Sequence, residues 1–169
     1  IIAVGKIGNS FEKELVNRYT NRFNKVSKIL GFSSLQIIEV DDKKYKTKNQ
    51  QAKKILEIIK VNSNLVIFDQ RGYNKSSEDF TKFLLNQRDK GVKNQFFVLG
   101  GAFGLCSSLF KETSDIFSLG KMVWPHLLAR VMVAEQIYRS SSIMLGNPYH
   151  KIWNSYNEKS NDIKKKWAN

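Results

Sequence analysis

Tyr149 and His150 stand side by side, an aromatic face next to a ring that titrates near neutral pH. Such a pair can stack on a flat base and hold or move a proton. His126 follows Pro125 beside a helix start, where a structural hydrogen bond is the plainer role. Neither histidine has a partner at metal-ligand spacing, and Cys106 is the only cysteine, so no metal is expected. Arg130 and Arg139 lie on an otherwise apolar helix. A buried arginine needs a carboxylate, phosphate or carbonyl partner, and an intersubunit pair or an RNA phosphate is the expected one. Asp69, at the carboxyl end of a strand, can accept from a ligand or cap the next turn. No Ser-His-Asp or paired-carboxylate arrangement stands out.

Two glycine-containing loops precede these residues. The apolar run Phe96-Phe97-Val98-Leu99 ends in Gly100-Gly101-Ala102-Phe103-Gly104, and Leu119-Gly120-Lys121-Met122-Val123-Trp124 comes just before the arginine-bearing helix. A strand that ends in glycines lets a ligand approach the backbone, because no Cβ fends it off. Two such loops on neighbouring strand ends would make a cofactor cleft at the carboxyl edge of a parallel sheet. The pattern is Gly-Gly-x-x-Gly after a fourth strand, with no acidic residue ending the next strand to hold a ribose. These points weigh against a dinucleotide fold and against the ordinary Rossmann methyltransferase.

The helix after the second loop is predicted from about Leu127 to Leu145, with Pro125 at its start and Gly146 and Pro148 at its stop. Its first half is apolar nearly all round, so it needs cover on more than one side, and a second subunit is the expected cover. Upstream, strands are predicted at Ile1–Val4, Leu35–Val40, Leu65–Phe68 and from Phe96, with a short fifth at Ile116–Phe117. Helices are predicted after Asn9 or Ser10, around Ile55–Ile59, and from Ser76 or Ser77 to Gly91. A short helix is predicted at Leu109-Phe110 and a turn at Gln70–Asn74. The alternation of strand and helix predicts an α/β layer with a mainly parallel sheet.

Lysine and arginine outnumber acidic residues 28 to 15, a formal charge of +13. That excess favours a polyanionic partner, RNA ahead of membrane, though a lysine- and asparagine-rich composition alone can make a chain basic. Lys43, Lys44, Lys46, Lys48, Lys53 and Lys54 fall within one polar stretch, read as a solvated loop leading into a helix, with a phosphate-contacting arm as the sharper alternative. A single cysteine fits a reducing, cytoplasmic compartment. The longest apolar stretch is broken by Arg130 and Glu135, so no membrane span is expected. The chain begins at Ile1 rather than Met, which leaves room for residues before it.

The residues Phe97–Leu105, Ser118–His126, Arg130-Val131, Ala134–Arg139 and Asn147-Pro148-Tyr149-His150 occur in an order and spacing that resemble the RlmH family of the SPOUT superfamily. These are the pseudouridine methyltransferases of large-subunit ribosomal RNA. Ile1–Lys6 is similar to that family's first strand, and the resemblance spans residues 1 to 150 as one domain. Residues 151–169, basic and carrying Trp153, Tyr156 and Trp167, form an extension beyond it.

The resemblance implies an α/β fold whose sheet ends in a deep trefoil knot. It implies S-adenosylmethionine as cofactor, held by Phe68, Gly100 and Leu119, Gly120, Lys121, Met122, Val123 and Trp124. A homodimer with its site completed across the interface is implied as well. The implied substrate is N3 of a pseudouridine in 23S rRNA of the assembled ribosome. His150 is the candidate base or base-positioner, Tyr149 the stacking residue, and Arg130 and Arg139 the substrate or interface anchors. Two departures are notable. Phe68 stands where leucine is usual, and Gly120 stands where serine is more common. Another RNA acceptor such as tRNA, a non-catalytic ribosome-binding factor and a monomeric flavodoxin-like domain are the competing readings.

Overall fold

The computed structural model describes residues 1–60 and 62–151. The sequence readings of Trp153, Tyr156 and Trp167 lie outside the described residues. Among those described, five strands form one parallel sheet in the order β2-β1-β4-β3-β5. They are β1 (Ile2–Val4), β2 (Ile38–Val40), β3 (Ser63–Asn74), β4 (Asn94–Leu99) and β5 (Ile116–Ser118). The helices are α1 (Phe11–Val26), α2 (Lys48–Ile58), α3 (Ser77–Asp89) and α4 (His126–Met144), with a short 3-10 helix at Ser107–Lys111. The mainly parallel α/β expectation holds, as do the starts of α1 and α3. Ser10 and Ser76 accept from the backbone N–H groups of Lys13 and Asp79. Thr47 and Gln50 cap α2 reciprocally, a device that contributes about 1 kcal/mol.

Both faces of the sheet are covered, as a parallel sheet requires. Val66, Phe97, Leu99 and Phe117 pack on one face with Phe80 and Leu84 of α3 and Val133, Ala134 and Ile137 of α4. Ile2, Val4, Ile67 and Val98 face the other way, toward Ala52 and Ile55 of α2 and Leu109.

Residues Gln70–Asn74 are not only a turn. They form the end of β3, and both Phe68 and Tyr73 pair with Phe117 of β5, with the register broken between them. Gly72 makes this possible. A Cβ there would lie 2.6 Å from the Ile116 carbonyl oxygen and 2.6 Å from the Phe117 carbonyl carbon, closer than any side chain tolerates. Periodicity reports alternation within a strand; it carries no signal for a strand that detours and returns.

α4 owes part of its cover to its own chain. It packs on α1 and α3, which bury Val133, Ala134, Ile137 and the run Ser140–Ser142. Leu128 is left exposed and Val131 and Met132 half-buried. Gly146, at φ +64°, ends the helix in the left-handed region that glycine tolerates. No helix of the described residues is long and apolar enough to cross a membrane.

Candidate functional site

The carboxyl ends of β4, β3 and β5, neighbours in the sheet, open onto one cleft of about 860 Å³. Its walls are Phe68–Arg71 within β3, Leu99–Leu105 from the last residue of β4 onward and, after β5, Leu119, Gly120 and Met122–His126. Of the residues expected to hold the cofactor, Phe68, Gly100, Leu119, Gly120, Met122, Val123 and Trp124 line this space. Lys121 sits exposed in the same loop, outside the lining.

Backbone geometry shapes the cleft. The Gly100–Gly104 turn closes on itself, with the Gly104 N–H donating to the Gly101 carbonyl at 2.9 Å. A Cβ on Gly100 would come within 2.9 Å of the Gly104 carbonyl carbon, and one on Gly101 within 3.2 Å of Val4 Cγ1. The turn is therefore tight because both residues lack side chains. By contrast, a Cβ on Gly104 or Gly120 would meet no protein atom within 4 Å. The space beside those two backbones is open. Ser118 steadies the second loop: its Oγ accepts from the Gly120 N–H at 3.1 Å and donates to the Gly120 carbonyl at 2.8 Å. Trp124 Nε1 donates to the Leu119 carbonyl at 3.3 Å. Phe68 packs edge-on against Phe80 and Phe117, with Phe97 also beside it, so its ring is fixed.

Volume, walls of mixed apolar and polar character and glycine-bared backbone fit S-adenosylmethionine, a ligand with a flat base, a ribose and a charged amino-acid end. The loop substitutions noted above are compatible with that fit. Phe68 offers a flat face where leucine is usual, and Gly120 leaves open space where serine would place a hydroxyl.

The four candidate catalytic residues do not converge on this cleft in the single chain. Arg130 lies in the core, its side chain only 1% exposed. Its Nη2 donates to the carbonyls of Val4 (2.7 Å) and Gly5 (2.8 Å), and its Nη1 to Glu39 at 3.0 Å. The expected intersubunit or RNA partner is thus replaced by partners from its own chain. The guanidinium ties α4 to the ends of β1 and β2, directly behind the glycine turn. Burial works against its charge, while Glu39 and Asp42 favour it. No sequence pattern could name Val4 and Gly5 as partners, because they lie more than 120 residues away.

Arg139, Tyr149 and His150 gather at the other end of α4, thirteen residues and about 20 Å along the helix from His126. Glu135 is their hub. Its Oε1 accepts from Arg139 Nε (2.9 Å) and from the Tyr149 hydroxyl (3.0 Å), and its Oε2 accepts from Gln136 Nε2 (2.8 Å). The Arg139 guanidinium lies 4.8 Å over the Tyr149 ring, which also leans on Tyr138. Burial, with hydrogen bonds to Tyr19 and Glu135, pushes the Tyr149 phenol well above its ordinary value.

His150 Nε2 meets Glu78 Oε1 at 2.8 Å, and its Nδ1 lies 3.4 Å from Arg139 Nη1. A neutral ring protonated on Nε2 satisfies both bonds, leaving the Nδ1 lone pair toward Arg139. Glu78 itself is held below the usual carboxylate range by its own backbone N–H at the start of α3 and by His150.

A second, apolar cavity of about 560 Å³ lies between these two regions. It shares Phe68, Leu119 and Gly120 with the cleft, and it is bounded by Val131, Met132 and Glu135 of α4. The half-covered face of α4 therefore leads from the glycine loops toward the Tyr149 cluster. Glu135 and Glu78, the two carboxylates that organise that cluster, were not singled out from sequence. Their roles depend on a packing that brings Glu78 within reach of a residue 72 positions later. Among the described residues no cluster of side chains suited to a metal is present.

A family model described as "Predicted SPOUT methyltransferase" matches residues 1–150. A Roseobacter denitrificans protein named ribosomal RNA large subunit methyltransferase H is 40% identical over 151 residues, covering 89% of this chain and 97% of that one. Proteins of the same name from Ruegeria pomeroyi and Rhizobium etli are 38% and 36% identical, over 90% of this chain and 97% and 98% of theirs.

Proposed function

The chain belongs to the SPOUT methyltransferase family, and from that premise we propose that it methylates large-subunit ribosomal RNA with S-adenosylmethionine as donor. The observation that carries this is the cleft: two glycine-containing loops after β4 and β5, the parallel strands on either side of β3, lined by the residues expected to grip the cofactor. We propose further that the acceptor is N3 of a pseudouridine in 23S rRNA within the assembled ribosome. Residues 1–150 act as one domain in this reading, and 151–169 are an added extension. A trefoil knot at the carboxyl end belongs to the same proposal.

S-adenosylmethionine, when bound, supplies an electrophilic methyl group carried on a sulfonium. The chain's own contribution is positioning and exclusion of water. The backbone of Gly100–Gly104 and the Leu119–Trp124 loop hold the cofactor, and the fixed Phe68 ring sets one wall. An imide N3 must lose its proton during transfer, so a nearby base is needed. His150 is assigned that proton at Nδ1, with Glu78 orienting the ring through Nε2. Tyr149 is assigned to stacking on the target base, and Arg139 to holding the pair through Glu135.

Because none of these residues lines the cleft of its own chain, and Arg139 lies about 15 Å along α4 beyond Ala129, the site is proposed to be completed by a second copy. The half-covered Leu128, Val131 and Met132 supply the apolar face such a dimer needs. The test of the activity is methyl incorporation into ribosomes from cells lacking it, with mapping of the modified base. Free rRNA and tRNA serve as competing acceptors. Labelling of tRNA in preference to ribosomes would replace the reading.

The shared site has its own test. Gly100→Ala and His150→Ala chains, each inactive alone, are mixed under subunit exchange. Random pairing restores one intact composite site in half the dimers, about a quarter of full activity. A site built within one chain recovers nothing.

A further inference from the structure

Three charged side chains on the cleft wall have no role in the account above: Lys48, Asp69 and Arg71. Asp69 and Arg71 act as one unit. Asp69 Oδ1 accepts from the Arg71 backbone N–H at 3.0 Å and from its Nε at 2.7 Å, and Oδ2 accepts from Nη2 at 3.0 Å. The guanidinium also lies 4.8 Å over the Phe110 ring. The fork spends two of the five guanidinium N–H groups and leaves three, on a side chain that is 70% exposed. An arginine held by a carboxylate on its edge and an aromatic ring on its face has already given up much of its rotamer freedom. Binding an oxyanion then costs it less entropy.

As an ion pair the unit is neutral, so it offers directed donors rather than net field. The field comes from Lys48, which has no ion pair among the described residues, and from exposed Lys43, Lys44 and Lys46 just before it. This basic segment is held by hydrogen bonds at both ends. Asp41 Oδ1 accepts from the N–H groups of Lys43 and Lys44, and Cys106 Sγ, in the loop after the glycine turn, bonds Asn49 at 3.0 Å.

We infer that Lys48 and Arg71 form an oxyanion subsite on the outer wall of the cleft, taking a phosphodiester next to the target nucleotide. Lys43, Lys44 and Lys46 carry the contact along the strand. The inference rests on the reading of RNA as methyl acceptor. A cofactor carboxylate has the same chemistry, but a single carboxylate cannot use Lys48, Arg71 and the three exposed lysines before them together. The net charge of +13 also matches a polyanion.

The experiment compares the wild-type protein with Lys48→Ala and Arg71→Gln. Affinity for ribosomes is measured across a potassium chloride series, and affinity for S-adenosylmethionine by calorimetry. Arg71→Gln retains a donor for Asp69, and Lys48→Ala removes no ion pair, so both variants should fold. Each should bind ribosomes about tenfold more weakly at low salt, and Lys48→Ala should reduce the salt slope by about 1. Cofactor affinity should stay within about twofold in both variants. Loss of cofactor affinity in either variant overturns the inference, whatever happens to RNA binding, and so does unchanged ribosome affinity in both. The RNA-binding measurement does not depend on turnover. A wild-type protein that binds ribosomes yet methylates nothing would refute the functional reading, while the ribosome affinities of the two variants still decide whether Lys48 and Arg71 hold a phosphodiester.

Discussion

The two ends of α4 are built on different principles. At the amino end the cleft is made of backbone: glycines set its shape, and buried Arg130 ties the helix to β1 and β2 behind it. At the carboxyl end the arrangement is all side chain, with Glu135 and Glu78 holding Arg139, Tyr149 and His150. A backbone-built site is fixed by the fold itself and tolerates little change. A site of interlocked, partly exposed side chains is held by individually modest bonds and can re-form around a new partner. That division suits an enzyme that grips a small cofactor at one end and meets a large RNA at the other.

The comparison breaks most readily at Arg130. Arg130→Met removes the donor for the buried Val4 and Gly5 carbonyls, a loss of about 1–3 kcal/mol for each, while Glu39 keeps the Ile7 N–H. Urea denaturation should show it, whereas Arg139→Met, on the half-exposed cluster, should cost about 1 kcal/mol. Equal losses would erase the distinction between the two ends.

Next in size is Gly100→Ala. The new methyl group collides with the Gly104 backbone, and affinity for S-adenosylmethionine should fall about tenfold or more, roughly 1.4 kcal/mol. Calorimetry measures this directly. The matching change at the other end, Tyr149→Phe, should leave cofactor affinity within about twofold while methyl transfer to ribosomes falls. A Tyr149→Phe protein with weakened cofactor binding would show that the two ends are not separate.

The smallest effect is on pH dependence. The Tyr149 phenol is held protonated in the folded chain by burial and by its bonds to Tyr19 and Glu135. A group whose folded value is raised contributes stability that is fully present below its unfolded value. That contribution is lost as pH rises through the folded value. Wild-type stability should therefore decline more steeply than that of Tyr149→Phe above about pH 10, read by urea denaturation at several pH values. Parallel declines would place the phenol in free solvent.

Much of the fold was legible because its signals are local. Ser10, Ser76 and Gly146 mark helix ends by short-range hydrogen bonding and backbone preference, and the β-branched runs mark strands. The glycine loops were legible for the same reason, since missing side chains at a strand end are visible in the sequence. The return of β3 after Gly72 was not, because the cause is a close approach to Ile116 and Phe117, some 45 residues away. Nor was Arg71, which sits inside a stretch that composition reads as a turn.

The sequence by itself determined the order of strands and helices, the glycine loops, the basic charge and the family likeness, all properties of neighbouring residues or of their sum. Only the tertiary structure decided that Arg130 serves the core, that Arg139, Tyr149 and His150 assemble on Glu135 and Glu78, and that this cluster lies far from the cleft of its own chain. Those outcomes follow from burial and from hydrogen bonds between distant segments. Many sequences satisfy the same local rules, and the lowest free energy is settled by which buried charge finds which carbonyl once the layers close.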